Sequence, residues 1–196
     1  MDNSNCDIKN IKDIKDFALA LLDRYYKDYK KAFAILRPHS EAVMRKAWHI
    51  ARHCEQSVDG RLIIEAALLH DIGAFRTNAP GIGCYGDEPY LRHGVIGRSI
   101  LENEGLPRHA LVCERHIGVG LTKTDIIRNN LPLPHRDMVP VSHEEKIICL
   151  SDLFFNKTHP EHERSVREVK NSVQKYGKNK VDIFENWLTE YCFSNY

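Results

Sequence analysis

The chain has no excess of charge of either sign. Its 196 residues carry 28 Lys and Arg against 27 Asp and Glu, a formal net charge of +1. That balance removes the general electrostatic argument for a nucleic-acid polymer or an anionic membrane surface as a partner. No apolar run approaches the length of a membrane span. The first residues, MDNSNCDIKN, lack the basic-then-apolar order of a secretory signal. A soluble, cytoplasmic protein is expected. The six cysteines, Cys6, Cys54, Cys84, Cys113, Cys149 and Cys192, form no C-x-x-C pair and no dense framework, which argues against structural disulfides. Cys54, Cys113 and Cys149 are expected to be small buried hydrophobes. Cys84, in a glycine-rich loop, is the one candidate for a reactive thiol. Strand patterns are almost absent, and there is no internal repeat, low-complexity tract or linker.

What remains is helical periodicity along nearly the whole chain. Ile11 to Leu36 reads as one long or broken helix, and His39 to Cys54 as a second, beginning after Pro38. Asp59 can cap a third from about Arg61 to His70. Tyr90 to Glu104 is a fourth, ended by Gly105, and Pro107 opens a fifth that reaches about His116. Ser142 and Glu145 form an S-x-x-E capping pattern for a helix ending near Phe155. Glu161 to Tyr176 and Lys178 to Phe193 complete the set. Thr77 to Pro89 and the proline-rich Leu131 to Val141 read as loops. The expected architecture is all-α, a compact single-domain helical bundle over residues 1–196.

Within this pattern, polar residues fall on apolar stripes. IIEAALLHDIGAF, Ile63 to Phe75, ends an alanine-rich apolar helix in His70 and Asp71. Burying either side chain costs free energy unless it is hydrogen-bonded, paired or bound to a metal. Neighbours on a helix point about 100° apart, yet two can converge at a helix end whose last turn opens. His39 shares a face with Val43, Ala47, Ile50 and Cys54. His93 aligns with Gly97 and Ile100; His109 and His116 align with Val112 and Cys113; Asp152 aligns with Ile148 and Phe155. One inward His or Asp alone is ordinarily a hydrogen-bonded core residue. The set of His39, His70, Asp71, His93, His116 and Asp152, drawn from five helices, points instead to joint compensation around metal ions. Four histidines and two carboxylates suit a pair of first-row transition ions, with Asp71 able to bridge.

Other matches are weaker. His49 and His53 have zinc-helix spacing, but no Glu stands beside His49. His159 and His162, in THPEHE, read as a solvated face. Gly81, Gly83 and Gly86 match G-x-G-x-x-G literally, but without a βαβ context they read as a flexible wall near the site.

The ordered set, His39 in PHSEAV, His70 and Asp71 in LLHDIG and Asp152 in CLSDLF, resembles the HD-domain superfamily of metal-dependent phosphohydrolases, in which HDIG names a subgroup. His93 in RHGVIGRSIL and His116 in CERHIGVGLT fall where two-metal members carry two further histidines. The stretch from ERHIGVGLT through LPLPHRDMVP to HEEKIICLSD is also similar to a subgroup of small stand-alone HD proteins. The resemblance implies an HD core over about 39–157 with the N- and C-terminal helices packed on it. It also implies hydrolysis of a phosphate ester or anhydride. His39, His70, Asp71 and Asp152 would hold one divalent ion, and Asp71, His93 and His116 the other, with Asp71 in the catalytic bridging position. Iron or manganese are the expected ions, with cobalt, nickel or zinc as alternatives. Such ions acidify a bound water and offset charge in the transition state. Arg76, Lys123 and Arg136 lie near the motifs and are candidates for contacting substrate phosphate. The expected partner is a small phosphorylated molecule, with nucleotides among the candidates. His116 follows Arg115 and no D-G-x-G-Y-P string follows, which argues against a cyclic dinucleotide substrate. Two alternatives stay open: a di-iron oxygenase on the same ligands, and a module that binds a nucleotide without turnover.

Overall fold

In the computed structural model, which describes residues 8–191, nine α-helices are seen among the described residues. They are α1 (Ile8–Tyr26), α2 (Lys30–His53), α3 (Gly60–Leu69), α4 (His93–Asn103), α5 (Pro107–Arg115), α6 (Lys123–Arg128), α7 (His143–Asp152), α8 (Val166–Gln174) and α9 (Lys178–Glu190). The fold is all-α apart from one small sheet. Helix α3 is its centre. Asp59 caps it by accepting from the Leu62 amide at 3.1 Å, and Leu62 to Leu69 are all buried. Full burial of each Leu or Ile there stabilises by about 1.5–3 kcal/mol. Helices α1, α2, α5 and α7 pack around α3, while α4 lies against α5 and against the 3-10 turn Ile72–Arg76. One apolar cluster runs from Ile14 of α1 through α3 to Phe184 and Trp187 of α9. Among the described residues no helix is long and apolar enough to cross a membrane.

Several boundaries differ from the expectation, each for a physical reason. The first break falls at the turn after Tyr26, not at Pro38, and α2 runs straight through that proline. A helix-interior proline costs about 3 kcal/mol. Burial of Ala32, Leu36, Val43, Ala47 and Ile50 along one face of α2 outweighs it. Helix α8 begins at Val166 and not near Glu161, because Ser165 and Glu168 form a reciprocal capping box there. Helix α6 was not anticipated, although Thr122 and Asp125 make the same kind of box. At α7, Ser142 accepts from the Glu145 amide at 3.2 Å, but the Glu145 carboxylate accepts from Val141 instead of closing the box. The expected end of the last helix near Phe193, like Cys6 and Cys192, lies outside the described residues.

The Thr77–Pro89 segment is not an irregular loop. It folds into a three-stranded sheet of β1 (Thr77–Ala79), β2 (Cys84–Tyr85) and β3 (Glu88–Pro89), in the order β2-β1-β3. Strand β1 pairs antiparallel with β2 and parallel with β3. Strands of two and three residues are too short for a period-two pattern to show. Two glycines of the literal G-x-G-x-x-G string, Gly83 and Gly86, serve this sheet. Gly83 sits at φ +76, and a Cβ on Gly86 would stand 2.1 Å from the Arg76 carbonyl oxygen. Cys84 is fully buried here. Burial, aided by Asp71, pushes its thiol up to about 11, which removes it as a reactive nucleophile.

Candidate metal centre

Helix α3 stops at Leu69, and the chain tightens at once into the 3-10 turn Ile72–Arg76, with the Ala74 amide donating to the Asp71 carbonyl at 2.9 Å. This opening of the last turn lets His70 and Asp71 converge. The Tyr26 hydroxyl of α1 donates to the same carbonyl at 3.2 Å. Gly73 allows the turn to meet α4, since a Cβ there would lie 2.3 Å from the His93 carbonyl oxygen. Gly94 does the same between α4 and α5, where a Cβ would lie 2.5 Å from the Cys113 carbonyl oxygen. These close approaches bring His93 and His116 to Asp71. His39 arrives from α2 and Asp152 from the last residue of α7.

All six residues meet. Asp71 Oδ2 lies 3.5 Å from His39 Nε2 and 3.2 Å from His70 Nε2. Asp71 Oδ1 lies 3.3 Å from His93 Nε2 and 3.6 Å from His116 Nε2. Asp152 Oδ1 adds distances of 3.0 Å to His39 Nε2 and 3.5 Å to His70 Nε2. The Asp71 carboxylate thus turns one oxygen to each pair of histidines. His39, His70, Asp71, His93 and His116 are buried, and Asp152 is partly exposed.

Ring orientations are set by the backbone. His70, His93 and His116 place Nδ1 at 2.7–2.8 Å from the carbonyls of Ala67, Tyr90 and Cys113. In each neutral imidazole Nδ1 then carries the proton and Nε2 offers a lone pair to the centre. The consequence is sharp at His93 and His116, whose Nε2 atoms face each other at 3.0 Å. Two lone pairs at that distance repel unless a proton or a cation lies by them. The His70 and His39 Nε2 atoms and both Asp71 oxygens also lack a well-directed hydrogen bond. Buried polar atoms are rarely left so. His39, His70 and Asp152 form one group able to hold a metal ion, and His70, Asp71 and His116 another, each with ligand atoms within 4.8 Å of one another. Imidazole nitrogens with carboxylate oxygens fit a divalent transition cation.

Electrostatics follow from the same geometry. Burial, with the neighbouring His116 and Lys157, pushes the His93 imidazolium down to about 3. Burial acts the same way on His70, but Asp71 and Asp152 outweigh it and raise His70 to about 10. Burial opposes charge on Asp71, yet Lys157 and His70 hold its carboxyl well below the usual range. Lys157 Nζ lies 2.8 Å from Asp71 Oδ2.

A family model for the HD domain matches residues 37–157. The chain belongs to the HD domain family. A protein of Methanocaldococcus jannaschii, named only as uncharacterized, is 32% identical over 169 residues, covering 80% of this chain and 90% of that relative. Two relatives are named as tRNA (cytidine(56)-2'-O)-methyltransferases. The Thermoplasma volcanium protein is 34% identical over 75% of this chain, and the Picrophilus torridus protein 35% identical over 58%. The matches take in 38% and 29% of those two proteins' own lengths. No solved structure matches the chain.

The HD domain match ends on Lys157, a residue that sequence reasoning left out of the site. No local signal marks it: Lys157 stands five positions after Asp152, three beyond the end of CLSDLF. Its distance to Asp71 depends on how the chain leaves α7, which no local pattern states. The three basic residues expected near phosphate are all exposed. Arg76 is exposed and stacks over Phe75 at 5.8 Å. Lys123 is exposed at the start of α6. Arg136 donates to Glu114, 3.0 Å from Nε, beside Arg98 on the same buried carboxylate. His109 shares a helix face with His116 but bonds to Glu65 at 2.8 Å, outside the centre. His49 and His53 are exposed, with tilted rings 4.3 Å apart, and His159 and His162 are exposed.

Proposed function

We propose that the protein is a phosphohydrolase that uses two divalent transition ions, iron or manganese foremost, to cleave a phosphomonoester, phosphodiester or nucleotide phosphate. The observation that carries this reading is the split of Asp71. Its two oxygens face two histidine pairs, and one pair holds Nε2 against Nε2 at 3.0 Å. His39, His70, Asp152 and Asp71 would hold one ion, and Asp71, His93 and His116 the other. When bound there, such ions would supply an acidified water near neutral pH and positive charge against the phosphoryl oxygens.

The chain's own residues do the rest. The carbonyls of Ala67, Tyr90 and Cys113 hold three imidazoles in the ligating tautomer, as outer hydrogen bonds do for metal-bound histidine. The shift of His93 to about 3 keeps its Nε2 lone pair available through the neutral range. The buried walls of α3 and α7 exclude water from all but the side where Asp152 and Lys157 are partly exposed. Family membership supports hydrolysis, because most HD domain proteins are metal-dependent hydrolases. The tRNA methyltransferases that carry similar sequence support nucleotide-type esters as the first compounds to try.

The test is release of inorganic phosphate or a nucleoside monophosphate from a panel of phosphomonoesters, phosphodiesters and nucleotides, with manganese, iron, cobalt or nickel supplied. Turnover that disappears on chelation supports the reading. Silence across the panel with every metal, in a protein that still binds nucleotide, replaces it with a binding module. Dioxygen consumption by the iron-loaded protein replaces it with an oxygenase.

A further inference from the structure

Lys157 is a partly buried ammonium on the carboxylate that would join the two ions. Its Nζ is 2.8 Å from Asp71 Oδ2, the oxygen that also faces His39 and His70. A cation so close to a ligand atom competes with a metal for it. The side chain is 17% exposed, as is that of Asp152, whereas those of His39, His70, Asp71, His93 and His116 are at most 5% exposed. Lys157 therefore stands at the mouth of the centre. Tyr90 lines the same mouth, its ring stacked on His93 with centroids 4.7 Å apart and 5.9 Å from Lys157 Nζ.

The charge balance distinguishes two states. Without metal the centre holds two carboxylates, Asp71 and Asp152, and Lys157 is the counter-ion at 2.8 Å that makes burial of Asp71 tolerable. Two divalent ions would make the centre cationic and engage both Asp71 oxygens. The ammonium then has no anion left inside and repels the cations. A substrate phosphoryl group entering from the exposed side brings the anionic oxygens it lacks.

We propose that Lys157 is an exchangeable counter-ion: it pairs with Asp71 in the metal-free protein and becomes a phosphoryl-binding residue once metal is bound. This rests on the dinuclear reading above and adds to it the group that recognises the phosphoryl oxygens.

The experiment measures binding, not turnover. Manganese affinity is read by competition with a chelating dye, and inorganic phosphate affinity by calorimetry on the manganese-saturated protein, for wild type, Lys157→Met and Lys157→Arg. Lys157→Met should bind manganese several-fold more tightly, because a competing charge is gone. It should bind phosphate about 10- to 100-fold more weakly, the loss of one charge-assisted hydrogen bond. Lys157→Arg should recover most of the phosphate affinity. Weaker manganese binding in Lys157→Met marks Lys157 as a support for Asp71 and overturns the proposal. Unchanged phosphate affinity overturns it as well. If Lys157→Met does not fold, the arginine variant decides: phosphate affinity as weak as that of metal-free protein overturns the proposal, and near-wild-type affinity upholds it. Wild type that takes up no manganese at all is a different result, the failure of the dinuclear reading itself.

Discussion

Asp71 is the residue on which the centre turns, because its oxygens face four imidazoles at 3.2–3.6 Å. Asp71→Ala should bring metal content per chain close to zero after loading, since both groups of nitrogens lose their shared anion. His93→Ala and His116→Ala remove a nitrogen from one side only. Each should retain about one ion per chain and lose most turnover, as a single ion cannot clamp both oxygens. Elemental analysis checks both; two ions and full activity in His93→Ala would falsify the dinuclear assignment. His109→Ala is the control. It should leave metal content unchanged while unpairing part of buried Glu65, at a cost of about 1–3 kcal/mol. The histidines also set a pH dependence of opposite sign in metal-free protein. His70 is raised from 6.5 to about 10, so its contribution to stability is fully present below pH 6.5 and disappears as pH rises through about 10. His93 is lowered from 6.5 to about 3, so acidification from pH 6.5 toward 3 protonates the unfolded chain first and destabilises the fold. Urea titrations of wild type and His70→Gln should therefore converge toward pH 10. A gap between the two that is as wide at pH 10 as at pH 6 would remove the His70 assignment.

At the scale of elements, the site depends on backbones lying close together. The 3-10 turn after α3 touches α4 through Gly73, and α4 touches α5 through Gly94. A methyl group at either position meets a carbonyl oxygen at 2.5 Å or less and must push a helix away. Gly73→Ala should cost about 1–3 kcal/mol or more, as overpacking does, and should weaken metal binding by displacing His93 from Asp71. Calorimetric melting with a dye-competition titration reads both, and wild-type values for both would show that the turn and α4 have room to spare. The same scale explains the basic residues. Arg136 and Arg98 converge on buried Glu114, which fastens the proline-rich loop and α4 to α5, just before His116.

For the whole molecule, the centre links α2, α3, α4, α5 and α7, so metal binding and folding are coupled. The folded chain presents a converged ligand set that an unfolded chain does not. An ion at 100 times its dissociation constant should then add about 2.7 kcal/mol of stability, which for a chain of this size is a rise of roughly 5–10 °C in melting temperature. Chelator should reverse the rise. A melting temperature indifferent to manganese, iron, cobalt and nickel alike would mean that the centre holds no ion. Helices α8 and α9 complete the molecule from the far side, burying Val169, Val173, Phe184 and Trp187 in the common core and fastening Lys180 to Gly120 in the chain that follows His116.

The sequence by itself determined the helical class, because apolar spacing along α2, α3, α5 and α7 is a local property read at 3.6 residues per turn. It also determined which polar side chains face inward, since a stripe containing Val43, Ala47 and Ile50 carries His39 with it. The adjacency of His70 and Asp71 and their place at a helix end were likewise written in LLHDIG. Tertiary structure decided what those side chains face. His109 and His116 occupy one stripe, yet one meets Glu65 and the other Asp71, because α5 crosses different neighbours along its length. It decided that α2 survives Pro38, since the gain from burying a whole face exceeds a local cost. It made a sheet of a glycine-rich loop whose strands are too short to carry a pattern. And it brought Lys157 back onto Asp71, 86 positions away in the chain, a pairing set by the need of a buried carboxylate for a counter-charge and invisible to any rule of spacing.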